Sequence, residues 1–378
     1  MPSSGRLAVH ALVERSREVI RSHQSANGAY AASPDFSAYA GYCWFRDGAF
    51  IADGMSAVGE VESATAFFDW CAGVLTRFSG TIAEIVHSAE AGSPLPADRM
   101  LPARFTLEGN LGEDDWWDFQ LDGYGTWIWA VIGHAARHSL SLGRWEEAIR
   151  LSVDYLISSW DRPCYDWWEE HELEVHVSTL TCLGAGLDAA TGSGVLSAGQ
   201  ERSARDVVRR IRAVIEERGT RDGHLVKWLD GRSVDASLLS AIAPLGFIPA
   251  HSDLGRRTIF EVERQLCVDG GTHRYLEDTY FGGGQWPLLS CFLGLAQSSA
   301  GDREAARRRL DWVLSTATED GRLPEQVPGH LLAPEYQREW LDRWGPVATP
   351  LLWSHAMFLR LARELDLVPG VADAEQAR

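Results

Sequence analysis

Apolar residues return at helical spacing in about twelve separate stretches of this chain, while strand-like alternation is scarce. The stretches cover 5–23, 46–58, 60–79, 121–140, 143–160, 173–190, 196–218, 235–245, 251–267, 284–300, 302–317 and 348–365. Shared over 378 residues, that leaves about 31 residues for each helix with its connection. Six helices inside and six outside, closed into a toroid, would bury every stretch. A four-helix bundle would leave most of them unexplained, and an open α-solenoid is the other arrangement that fits. No Pro/Gly-rich linker divides the chain, so a single all-α domain over 1–378 is expected.

The connections are uneven. Links after the even-numbered stretches are short: Gly59, then a few residues near 141–143, 191–195, 246–250 and 301. Links after the odd-numbered stretches are long: 24–45, 80–120, 161–172, 219–234, 268–283 and 318–347. In a toroid of hairpins all the long links leave one end, and long links in compact domains are often functional. They also hold the unusual chemistry: YCWFRD at 42–47, DWWDFQLD at 115–122, YDWWEE at 165–170, KWLD at 227–230, HRYLEDTY at 273–280 and LPEQ at 323–326. Tryptophan faces stack on the C–H surfaces of a sugar ring, while Arg and carboxylates bind its hydroxyls. The count of 16 tryptophans points the same way, since a core of this size does not need that many.

Two candidate acids stand out. In YDWWEE, aromatic neighbours and like-charge repulsion would raise the pKa of one of the two adjacent carboxylates, Glu169 or Glu170, and a protonated carboxyl can donate to a glycosidic oxygen. The same residues also suit a helix N-terminus, where carboxylates complement the dipole. Glu325 lies in a late link that the toroid brings opposite Glu169, and inversion needs a second carboxylate on the far face. Arg46 with Asp47 forms a donor–acceptor clamp for sugar hydroxyls, or a buried ion pair at a helix start; Arg274 with Asp278 reads alike.

The composition excludes other classes. The formal charge of −18 disfavours nucleic acid and anionic membranes as partners. No apolar run reaches the roughly 18–20 residues that span a bilayer, and the first residues lack a signal-peptide core. Cysteines at 43, 71, 164, 182, 267 and 291 make no C-x-x-C pair, which argues against a clustered zinc site and for reduced thiols in a cytoplasm. H-E-x-x-H and G-x-S-x-G are absent, and Gly282-Gly283-Gly284 lacks the spacing of a dinucleotide loop. No cofactor or metal is expected. A monomer or small homo-oligomer acting on a small oligosaccharide is.

Together, YCWFRDGAF at 42–50, QLDGYG at 120–125, YDWWEEH at 165–171, DASLL at 235–239, HRYLEDTYFGGGQWPLL at 273–289, PEQ at 324–326 and PLLWSHA at 350–356 resemble glycoside hydrolase family 15, the glucoamylase-like enzymes. The resemblance implies an (α/α)6 barrel and inverting hydrolysis of terminal α-linked glucose. It implies Glu169 as general acid and Glu325 as general base. Arg46, Asp47 and Arg274 would bind the terminal glucose, and Trp116 or Trp117 would line the leaving-group wall. A tyrosine near the attacking water would be Tyr39 in preference to Tyr42. Trp44, Asp122, Trp168, Glu170, Asp278 and Phe281 complete the candidate substrate contacts. The chain departs from many relatives in having neither an N-terminal β-sandwich nor a starch-binding module, and in Tyr280-Phe281 where a Tyr pair is common. Short substrates, isomaltose-like α-1,6 glucosides first, are expected ahead of long starch. The rival readings are maltose or trehalose hydrolysis, a sugar epimerase using His171, His176, His273 or His355, and a non-catalytic sugar-binding protein.

Overall fold

The computed structural model describes residues 3–114, 116 and 119–368. Two kinds of helix alternate along them. The outer kind buries one stripe: α8 (Ala198–Arg218) turns Ala204, Val207, Val208, Ile211 and Ile215 inward and its charges to water. It opens on a capping box, in which Ser197 accepts from the Gln200 backbone while the Gln200 side chain accepts from the Ser197 N–H. The inner kind is buried all round, as α2 (Phe45–Ala57) is along its whole length.

In chain order the outer helices are α1 (Ser3–Ser22), α3 (Val61–Arg77), α6 (Glu146–Ser159), α8, α9 (Asp253–Leu266) and α11 (Arg303–Ser315). The inner ring is α2, α5 (Asp122–His138), α7 (Val177–Ala190), a 3-10 helix at Ala236–Ala241, α10 (Pro287–Ser299) and α13 (Leu352–Glu364). Each inner helix packs on the next, and α13 packs back on α2. The ring therefore closes as an (α/α)6 barrel, which removes the open-solenoid alternative. One hydrophobic cluster runs through it from Val9 to Val368. Among the described residues no helix is long and apolar enough to cross a membrane.

Three expectations need correction. The stretch at 235–245 is not an α-helix but the six-residue 3-10 segment. Pro244 lacks the N–H that a continuing helix would require. The links 80–120 and 318–347, expected only as connections between helices, carry helices of their own. The first begins with α4 (Ser79–Glu90), which buries only Ile82 and Ile85 and packs against α6. The second contains α12 (Gln337–Trp344), which stands over the mouth of the ring.

The inner helices approach closely where side chains are absent. A Cβ on Gly186 of α7 would run into the Gly125 carbonyl of α5, and one on Gly125 into the Cys182 carbonyl. Both obstacles are backbone and cannot swing aside. Gly186→Ala is expected to cost about 1–3 kcal/mol through forced helix separation. A fall of the thermal midpoint by about 1–4 °C in calorimetry checks this, and an unchanged midpoint contradicts it.

Candidate active site

The long links converge on a cavity of about 300 Å³ at one end of the ring. That is the small end of the range for ligand pockets, roughly 300–1,000 Å³. Among the described residues eight tryptophans line it: Trp44, Trp116, Trp167, Trp168, Trp286, Trp340, Trp344 and Trp353. Five of the six long links contribute side chains, and 219–234 does not. An antiparallel ribbon of β1 (Tyr42–Trp44) and β2 (Arg104–Thr106) ties the first link to the second.

Both candidate acids line this cavity. Their links precede α7 and α13, three hairpins apart in a ring of six, so they enter from opposite sides. Glu169 does not start a helix, because α7 begins only at Val177. It sits in a tight turn with φ of 62°, a left-handed conformation unusual for a glutamate. Asp166 closes that turn: its Oδ1 accepts from the backbone N–H of Trp168 and of Glu170, each at 2.9 Å. Its carbonyl accepts from the Glu169 N–H at 3.1 Å. The Trp44 indole N–H donates to Glu169 Oε1. Burial pushes the Glu169 carboxyl above the usual range, against the Arg46 charge and the Trp44 donor.

Glu325 is 2% exposed. Its backbone is tied to α13 and the link before it: Glu325 N–H donates to Ala348 O at 2.9 Å, and Ser354 Oγ to Pro324 O at 2.8 Å. Tyr39 OH donates to Glu325 Oε1 at 3.2 Å and lies 3.0 Å from Tyr280 OH. Oε2 takes no hydrogen bond from the described residues. Burial raises the Glu325 carboxyl to about 8, opposed by the Arg274 charge and by donors from Tyr39 and Tyr280. Tyr42 instead stacks under the Arg104 guanidinium, 3.9 Å from its ring centroid, and does not line the cavity.

Arg46 and Asp47 lie in the first turn of α2 and form part of the floor. They pair at 3.1 Å, so the clamp and the buried ion pair are one arrangement. Burial, with Asp122 adding to it and Arg46 opposing, lifts Asp47 to about 6. Arg274 also lines the cavity, with Glu170 at 3.4 Å.

Three expected substrate contacts sit behind the wall instead. Asp122, 1% exposed, takes an ion pair from Arg46 at 3.2 Å. Asp278, fully buried, accepts from Arg274 Nε at 2.8 Å. Phe281 is buried and backs Trp340, with ring centroids 5.9 Å apart. Each carries a group that faces the cavity, and spacing along the chain cannot tell the two positions apart. Trp117 lies outside the described residues. Trp44, Trp116, Trp168 and Glu170 do line the cavity.

Tyr280 and the α12 residues Trp340, Arg343 and Trp344 were not anticipated. The four-residue spacing of Trp340 and Trp344 was the available signal, since it puts both on one helical face.

None of His171, His176, His273 and His355 lines the cavity. His176 bonds the His171 carbonyl, His273 the carbonyls of Gly283 and Gly284, and His355 bonds Ser16. Asp166, Glu170 and His171 bring one possible metal-ligand atom each to within 4.8 Å of one another. Asp166 is already engaged by Lys227, and Glu170 by Arg274 and Tyr275. A cation there would compete with those charges.

A family model described as glycosyl hydrolases family 15 matches residues 8–318. Isomaltose glucohydrolase of Kribbella flavida is 50% identical over 365 residues, spanning 96% of this chain and 95% of that one. A solved glycosidase carrying a glutamate-to-alanine substitution, in complex with glucose, is 49% identical with a TM-score of 0.95, covering 98% of this chain and 100% of the other. A bacterial glucoamylase complexed with acarbose shares the fold at 20% identity and a TM-score of 0.72, over 94% of this chain and 55% of that one.

Proposed function

This chain belongs to glycosyl hydrolase family 15, and from that premise we propose that it releases β-glucose from the non-reducing end of short α-glucosides, isomaltose first among them. The observation that carries this reading is two raised carboxyls, Glu169 and Glu325, entering one tryptophan-lined cavity from opposite sides of the ring. Glu169 gives its proton to the glycosidic oxygen as the bond to the anomeric carbon breaks. Glu325 takes a proton from a water attacking that carbon on the other face. The new bond forms opposite the one that broke, so the anomeric configuration inverts. Arg46, Asp47 and Arg274 hold the hydroxyls of the terminal ring.

A cavity of about 300 Å³ with Arg46 and Asp47 at its floor suits the end of a short sugar chain. The α-1,6 preference draws on the isomaltose glucohydrolase likeness, and glucose as the bound ring draws on the glycosidase–glucose complex. The epimerase reading loses its acid–base pair, because none of the four histidines lines the cavity. Six cysteines without a disulfide suit a reducing cytoplasm. The chain works as a monomer or small homo-oligomer.

Glucose release from isomaltose, maltose, trehalose and soluble starch, measured side by side, tests the substrate. Isomaltose should give the highest kcat/KM, and a preference for trehalose or starch would replace this reading. Proton NMR of fresh product should show the β-anomer first; an initial α-anomer excludes inversion.

Tyr39 supplies a donor that favours ionised Glu325. Without it the carboxyl rises further, and less base is ionised at a given pH. Tyr39→Phe should therefore move the acid limb of the kcat profile to higher pH and lower kcat about tenfold. An unmoved limb would remove Tyr39 from this role.

A further inference from the structure

Of the 35 Lys and Arg in this chain, Lys227 is the one lysine. It stands in 219–234, the long link that brings no side chain to the cavity. It is 3% exposed, with Nζ 3.2 Å from Asp166, 3.1 Å from Asp235 and 3.4 Å from the centroid of the Tyr275 ring.

All three partners hold neighbours of Glu169. Asp166 accepts the backbone N–H of Trp168 and of Glu170. Asp235 accepts the Trp168 indole N–H at 2.9 Å. Tyr275 OH donates to the Glu170 carboxylate. Glu169 itself sits between these held residues in its left-handed conformation.

We propose that Lys227 is the positioning residue for the acid, a single ammonium that locks the 166–170 turn from behind and so aims Glu169 at the glycosidic oxygen. The proposal rests on the assignment of Glu169 as acid. A compact ammonium with three N–H bonds can serve two carboxylates and an aromatic face from one point, which a planar guanidinium cannot do in the same space. Among the described residues the other ion pairs are made by arginine, apart from two by histidine, and they include exposed ones such as Arg205 with Glu201 and Arg338 with Asp342. Burial favours the neutral form of Asp235, yet its carboxyl stays below the usual range because Lys227 and donors from Ser237 and Trp168 outweigh it. The plainer reading is a buried ion pair that serves stability alone. The two readings part on turnover by folded protein.

The test compares wild type, Glu169→Gln, Lys227→Met and Lys227→Met/Asp235→Asn on isomaltose, with thermal midpoints for each. The double variant separates the outcomes if Lys227→Met fails to fold. It no longer sets two carboxylates face to face, and the asparagine carbonyl can still accept from Trp168. Folded Lys227→Met should lose about a hundredfold in kcat with KM within about threefold, as a displaced catalytic group requires. The double variant should regain about tenfold of that loss. In wild type labelled with ¹⁵Nζ-lysine, the single ammonium resonance should shift when glucose fills the cavity. Wild-type kcat in either folded variant, a loss confined to KM, or a resonance unmoved by saturating glucose overturns the proposal. An active Glu169→Gln removes the acid assignment instead, whatever Lys227 does.

Discussion

Glu325→Gln lowers kcat on isomaltose by roughly 10²–10⁴-fold, the usual worth of a positioned general base, with little change in KM. The amide keeps the shape and still accepts from Tyr39, but it cannot take a proton from water. The loss should be as large on an aryl α-glucoside, because activation of water is needed whatever the leaving group. The same variant should be more thermostable than the wild type. Burial raises the folded carboxyl to about 8, well above its unfolded value. The folded state therefore binds a proton that the unfolded chain has lost, and wild-type stability declines as pH rises from the usual carboxylate range toward 8. Glutamine has no such dependence. The gain in thermal midpoint should be small near pH 4 and larger near pH 8. Equal midpoints at both pH values would contradict the raised carboxyl, and wild-type turnover would contradict the base.

Glu169→Gln is expected to lose roughly 10²–10⁴-fold on isomaltose, but far less on a substrate whose leaving group departs without protonation. Nitrophenyl α-glucoside is such a substrate. The contrast with Glu325→Gln distinguishes acid from base, which a loss on isomaltose alone cannot do. Glutamine also removes an ionisable group that Arg46 faces from the cavity floor. Steady-state KM on both substrates should show whether glucose binding is disturbed. Equal losses on the two substrates would remove the acid role from Glu169, and full activity would remove the residue from the chemistry.

Much of the site was legible before the fold was seen. WFRD at 44–47, WWEE at 167–170, HRYLED at 273–278 and PEQ at 324–326 each place a residue on the cavity. Their spacing relative to helix starts is local information. Less legible was depth. Asp47 and Asp122 are both acids beside Arg46, yet Asp47 faces the cavity and Asp122 braces the arginine from behind. Tyr42 stands nearer than Tyr39 to the W-F-R-D run, yet of the two only Tyr39 reaches Glu325. The helix α12 was hidden because eight residues give too short a periodic signal to stand out from a link.

What the sequence by itself determined is most of the barrel helices, their order, the contrast between short and long links, and the residue types able to do glycoside chemistry. Those follow from apolar period, breaker residues and side-chain chemistry, all of which act over a few neighbouring positions. The tertiary structure alone decided which carboxyls share a cavity, which stand behind its wall, and that a lone lysine from a seemingly silent link underlies the turn at Glu169. These depend on how the hairpins pack, which brings Asp166 to 3.2 Å from Lys227 Nζ across a long stretch of chain, with Asp235 at 3.1 Å. No pattern along the chain encodes that distance, because it is set by how six hairpins pack against one another.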